Sequence, residues 1–193
     1  MKTAVVLVGR HEVTKDRYEP VVKALQDNGW ENVIFYEPDW QINSVERLVS
    51  DFIASLPEGK EPLTLLGFSL GAMIALIGAS RITVENLILC SPSGYFAEYD
   101  VTLTEDDRAW ANENLKDFRN FSATSVINKT KVRRGIIIAG QTELEQWPDF
   151  KQWINDLKSQ TNWKYIELPE TGHEIEAPAY QETIKKIIHT IAR

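Results

Sequence analysis

Apolar positions along the chain alternate between two patterns. Short continuous runs occur at AVVLV (4–8), VIFY (33–36), LTLLGF (63–68), LILC (87–90), GIIIA (135–139) and KYIEL (164–168). Continuous rather than alternating runs predict strands covered on both faces. Between them lie stripes at helical spacing. Tyr18, Val21, Val22 and Leu25 form one, closed by Asn28-Gly29. Val45, Leu48, Val49, Phe52 and Leu56 form the next, with Asn43 and Glu46 spaced as a capping box and Pro57 beyond. Residues 70–79 are apolar nearly all round, which predicts a central, buried helix. Phe150, Trp153, Ile154 and Leu157, and then Ile184, Ile187, Ile188 and Ile191, complete the series.

Strand and helix in strict alternation predict an α/β domain with right-handed crossovers. The expected architecture is a three-layer α/β/α arrangement around a mostly parallel six-stranded sheet, with residues 1–193 forming one domain. Residues 91–134 are too long for a simple crossover. Within them TEDDRAWANENLKDF offers Thr104 as an N-cap, acids in the first turn, and Ala111, Leu115 and Phe118 on one face. This predicts an inserted helical cap over about 94–130.

One polar residue interrupts the most apolar part of the chain. Ser69 stands in Gly67-Phe68-Ser69-Leu70-Gly71, where the third strand ends and the buried helix begins. A strand that turns at once into a helix holds its turning residue at positive φ and lifts that side chain clear of the sheet. Residues two before and two after must then be small, and both are glycine. G-x-S-x-G in this setting is a nucleophile elbow.

A serine hydroxyl needs a base within hydrogen-bond reach to act as a nucleophile. Of the three histidines, His173 in LPETGHEIEAP follows the last strand, at the sheet edge where loops gather over a crevice. His189 lies off the apolar stripe of the last helix and reads as a surface residue. His11, after the first strand, suits a wall or oxyanion loop better than a base. An acid that orients the imidazole is expected after the fifth strand. There Glu143 is nearest the strand end, Glu145 is the second choice, and Asp149 reads as a first-turn acid of the helix after Pro148.

The chain order Ser69, Glu143, His173, each after a successive strand, resembles the α/β-hydrolase superfamily over essentially its whole length. Two departures stand out: the antiparallel strands that open the full family sheet are absent, and the acid is Glu rather than the usual Asp. The resemblance implies an oxyanion hole of two backbone N–H groups. One would come from Leu70 and the other from the VGRHE loop, at Arg10 or His11. Trp110 in the cap and Trp147 near the acid are candidates for a substrate pocket. Cys90 reads as a small buried hydrophobe; Ser91 and Ser93 lie on the same sheet edge as candidates to line the crevice, although a turn around Pro92 accounts for them fully.

Composition removes several other function classes. With 21 basic against 28 acidic residues the net charge is −7, and no basic run suggests nucleic acid. A single cysteine excludes an internal disulfide and a zinc ribbon. No metal-ligand motif or phosphate loop occurs, so neither metal nor cofactor is expected. No apolar stretch approaches a membrane span, and the apolar N-terminal run is too short for a signal segment. The chain is therefore read as soluble and cytoplasmic, a serine hydrolase acting on a small carboxylic ester or thioester, with a small acyl compound as its partner. Retention of the same fold as a non-catalytic binding module, or action on amide, peptide or C–C bonds, are the alternative readings.

Overall fold

The computed structural model of the chain describes residues 2–10, 15–57 and 62–193. Six strands build one sheet: β1 (Thr3–Leu7), β2 (Asn32–Tyr36), β3 (Leu63–Phe68), β4 (Val84–Cys90), β5 (Val132–Gly140) and β6 (Lys164–Leu168). Their order is β2-β1-β3-β4-β5-β6 and every neighbouring pair is parallel. The sheet expected to be mostly parallel is parallel throughout.

Alternate side chains of each strand feed opposite faces. Val5 and Leu7 of β1 join an apolar cluster with α2 (Val45–Ala54), α3 (Leu70–Ala79) and α7 (Pro148–Gln160). Ala4 and Val6 join the cluster on the other face, beneath α1 (Lys15–Asp27) and α8 (Pro178–Ile191). Every residue of α3 is buried, as its all-round apolar character demands. The chain runs outward from β1 to β2, then returns to β3 on the other side of β1. That reversal opens a crevice beyond the carboxyl ends of β1 and β3.

The segment between β4 and β5 carries two 3₁₀ turns, α4 (Glu105–Asn114) and α5 (Ala123–Lys129). Thr104 caps α4 as expected, accepting from the Asp107 N–H at 3.1 Å. Leu115 leaves the helix at φ −135°, ψ 52°, so α4 stops before Leu115 and Phe118, although both are buried. The cap of α2 is displaced by one residue from the expected Asn43. Ser44 is the N-cap, and Asp117 from the long insertion accepts from the N–H groups of Val45 (2.6 Å) and Glu46 (3.0 Å). Among the described residues no helix is long and apolar enough to cross a membrane.

Candidate active site

Ser69 sits at the tip of the β3–α3 turn with φ 55° and ψ −125°, a conformation L side chains rarely adopt. The glycines on either side permit it. A Cβ on Gly67 would lie 2.6 Å from the Gly71 oxygen, and one on Gly71 would lie 2.6 Å from the Leu7 oxygen. The turn is fastened at both backbone ends. Ser69 N–H donates to Cys90 O (3.0 Å), and Ser69 O accepts from the N–H groups of Ala72 (3.0 Å) and Ser93 (3.2 Å). The hydroxyl makes no cap bond to its own helix and is left to face the crevice.

His173, between β6 and α8, brings Nε2 to 2.9 Å from Ser69 Oγ. Its Nδ1 bonds Glu143 Oε1. With Nδ1–H donating to a carboxylate, Nε2 is left as an acceptor, the form needed to receive the serine proton. The imidazole is fixed between rings: Phe68 lies 4.7 Å away and Trp147 5.6 Å, centroid to centroid. The loop that bears His173 is tied to the acid's own helix through the Thr142 N–H to Thr171 O bond at 3.1 Å.

Glu143 belongs to α6 (Gln141–Gln146), a short helix where an open loop was expected after β5. Its side chain is 1 % exposed, so protein groups must replace the water it has lost. Oε2 accepts from the Gly140 N–H (2.7 Å) and the Ser91 hydroxyl (2.6 Å), and Tyr180 OH lies at 3.3 Å. Burial and the neighbouring Glu143 charge push the Tyr180 hydroxyl well above its ordinary value, so it remains a donor. Cys90 is fully buried and its thiol is also pushed upward, which suits the expected small hydrophobe.

Of the three acids considered, Glu143 is the one that reaches the imidazole. Glu145 is exposed and accepts from Gln141 Nε2 at 2.8 Å. Asp149 lies in the first turn of α7, and His189 is exposed with Nδ1 3.0 Å from Asn28 Oδ1. His11 lies outside the described residues. Leu70 is the first residue of α3, where helix geometry leaves the N–H groups without intrahelical acceptors. Gly9 packs its backbone against Ser69, which brings the start of the Arg10 loop to the crevice. The Arg10 side chain leads away to α4, donating to Asn114 Oδ1 (2.7 Å) and lying 4.7 Å from the Trp110 ring centroid.

Two cavities meet at Ser69 and His173. One, of about 300 Å³, runs under an aromatic wall that includes Tyr95, Tyr99, Trp147, Phe150 and Trp153. The other, of about 420 Å³, is lined by Arg10, Arg17, Leu70, Tyr95, Asp107 and Trp110. Trp147 and Trp110 thus fall in different walls. Ser93, Tyr95 and Asp107 line both cavities beside Ser69 and His173, and burial pushes the Tyr95 hydroxyl up to about 12, so that side chain is neutral. Among the described residues no group of His, Cys, Asp and Glu side chains is placed to hold a metal ion. Sequence reasoning placed Ser91 and Ser93 at the crevice edge, where both line the first cavity, but missed the contacts of Ser91 and Tyr180 with Glu143. The signal for Ser91 was a non-glycine residue at a strand end before Pro92, which a simple turn also explains.

No protein-family model and no curated protein matches the chain. Solved structures do. Est1E from Butyrivibrio proteoclasticus superposes with a TM-score of 0.72 at 16% identity, covering 98% of this chain and 86% of that one. MGS-MChE2, an alpha/beta hydrolase from a lagoon-sediment metagenome of Mar Chica, Morocco, gives 0.69 at 20% identity, covering 98% and 90%. The monoacylglycerol lipase of Paleococcus ferrophilus gives 0.67 at 14%, covering 98% and 93%. With one all-parallel sheet, the elbow at the end of β3 and these neighbours, the chain has the α/β-hydrolase fold.

Proposed function

We propose that the protein is a serine hydrolase that cleaves small carboxylic esters or thioesters through an acyl-enzyme. The observation that carries this reading is the unbroken line Ser69 Oγ to His173 Nε2 (2.9 Å), then Nδ1 to the buried Glu143, built on a strained elbow. Ser69 attacks the substrate carbonyl as His173 takes its proton, and Glu143 stabilises the imidazolium that forms. The N–H groups of Leu70 and Arg10 are the donors for the tetrahedral oxyanion, Leu70 lying at the positive end of α3. His173 then returns the proton to the leaving alcohol or thiol. Water, activated by the same imidazole, frees the acid product.

Two cavities meeting at the nucleophile provide separate room for the acyl part and the leaving group, both of modest size. Residues from about 94 to 130 act as the cap over them. The esterases and lipases among the structural neighbours are in keeping with an ester substrate. The test uses a fluorophosphonate probe and a panel of p-nitrophenyl esters, acyl thioesters and peptides. Wild-type protein is labelled at Ser69 and turns over the esters, and Ser69→Ala loses both. Equal ester hydrolysis by Ser69→Ala would refute the mechanism, and turnover of peptides alone would move the substrate class to amides.

A further inference from the structure

Ser91 is held at φ 42°, a costly conformation for a residue other than glycine. Its surroundings enforce that backbone. Ser91 N–H donates to Ile138 O (2.8 Å), Cys90 O accepts from Ser69, Ser93 N–H donates to Ser69 O, and Trp153 Nε1 donates to Pro92 O (2.8 Å). The strained residue points its hydroxyl inward, to Glu143 Oε2 at 2.6 Å. On its other side the Ser91 oxygen contacts Tyr180 OH, itself fully buried on α8.

Proton count together with the distances to Glu143 sets the direction of this line. Ser91 has one hydroxyl proton, and the carboxylate at 2.6 Å takes it. Tyr180 has one, and Ser91 Oγ is a closer acceptor than Glu143 Oε2 at 3.3 Å. The sequence Tyr180 to Ser91 to Glu143 to His173 to Ser69 is therefore continuous, with each hydroxyl donating forward as far as the acid. The Gly140 N–H alone would leave Oε2 free to pivot about that single bond. A second donor on the other lone pair sets the carboxylate plane, and with it the position of Oε1 against His173.

We infer that Ser91 and Tyr180 are positioning residues for the acid of the active site, Tyr180 acting through Ser91. This rests on the serine-hydrolase reading above. The strain at Ser91 has the purpose of delivering a hydroxyl where a relaxed strand end would deliver none. The turn at residues 90–93 then holds both ends of the machinery, the nucleophile by its backbone and the acid by a side chain.

Ser91→Gly and Tyr180→Phe test the inference, with rates expressed per site titrated by the fluorophosphonate probe. Glycine is at ease at φ 42°, so Ser91→Gly removes the hydroxyl while relieving the backbone. The expected result is a fall in kcat of about tenfold for each variant, with KM within about twofold of wild type. The double variant loses less than the product of the two single losses, because both side chains serve the same oxygen of Glu143. The downfield proton resonance of the His173 Nδ1–H shifts or broadens in both. Wild-type kcat per titrated site, with an unmoved resonance, in either folded variant overturns the inference while leaving the hydrolase reading intact. Should Ser91→Gly fail to fold, Tyr180→Phe decides alone. A wild-type protein that neither labels nor turns over sinks both readings together.

Discussion

Ser69 combines the nucleophile role proposed for it with a backbone conformation that opposes stability, and the two can be separated. Ser69→Ala and Ser69→Gly both delete the hydroxyl and its 2.9 Å bond to His173. Neither loses a helix cap, because Ser69 makes no side-chain cap bond. The backbone bonds donated to Cys90 O and accepted from Ala72 and Ser93 survive in both. What differs is the Cβ at φ 55°. A non-glycine residue there costs about 1–3 kcal/mol, and glycine returns about 0.5–1 kcal/mol of that through the greater freedom of its unfolded chain. The net gain of glycine over alanine is about 1 kcal/mol. For 193 residues, an unfolding entropy of about 2.1 cal/mol/K per residue converts this to about 2–3 °C in Tm. Circular-dichroism melts and urea titrations of the two hydroxyl-free variants, run side by side, provide the measurement. Ser69→Ala melting at or above Ser69→Gly would mean that the elbow stores no strain, and the account of why this serine stands clear of the sheet would fail.

Two further outcomes follow from the cap. At the start of α5, Glu98 accepts from the Ser122 hydroxyl and the N–H groups of Ala123 (2.8 Å) and Thr124 (3.4 Å). Burial pushes its carboxyl up, but these donors outweigh burial and the folded value lies below the ordinary 4.5. Because the folded group binds a proton less readily than the unfolded one, its stabilisation is complete above pH 4.5 and is lost as pH falls through the folded value. Glu98→Gln is therefore less stable than wild type by about 1 kcal/mol at neutral pH, a gap that shrinks in acid, and urea titrations giving a constant gap would contradict this. Arg10→Ala removes the bond to Asn114 and the stacking on Trp110 that tie β1's loop to α4. Amide hydrogens of residues 105–114 should then exchange about tenfold faster, whereas unchanged protection would show that the cap is held elsewhere.

The strands were legible because burial on both faces leaves continuous apolar runs, and β3 was read to the residue. β4 and β5 begin earlier than their apolar runs. Each starts with a lone valine followed by two polar or charged residues, Glu85 and Asn86 in β4 and Arg133 and Arg134 in β5, yet Val84 pairs with Val132 and Asn86 with Arg134, and Arg133 bonds Glu85 at 2.7 Å. Cross-strand partners make these residues acceptable in a strand, and one strand alone cannot reveal them. The α2 cap slipped from Asn43 to Ser44 for a related reason. Its extra acceptor, Asp117, is 73 residues downstream of Ser44, beyond the reach of any local capping pattern.

The grouping of Ser69, His173 and Glu143 was legible because each lies just after a strand at a common sheet edge, so chain order and topology bring them together. Their supports were not visible. Tyr180 lies on the buried side of α8 with Ile184 and Ile187, and periodicity reads all three as core. Only the third dimension reveals that its hydroxyl ends beside a carboxylate. Ser91 carried the opposite disguise, a polar residue beside a proline that any turn could use. Its φ, not its identity, is the unusual quantity, and φ at a non-glycine position is set by what the rest of the fold enforces. The residues proposed to react can therefore be read from type and place along the chain. Those that aim them depend on contacts among β4, α6 and α8, which exist only once the sheet has formed.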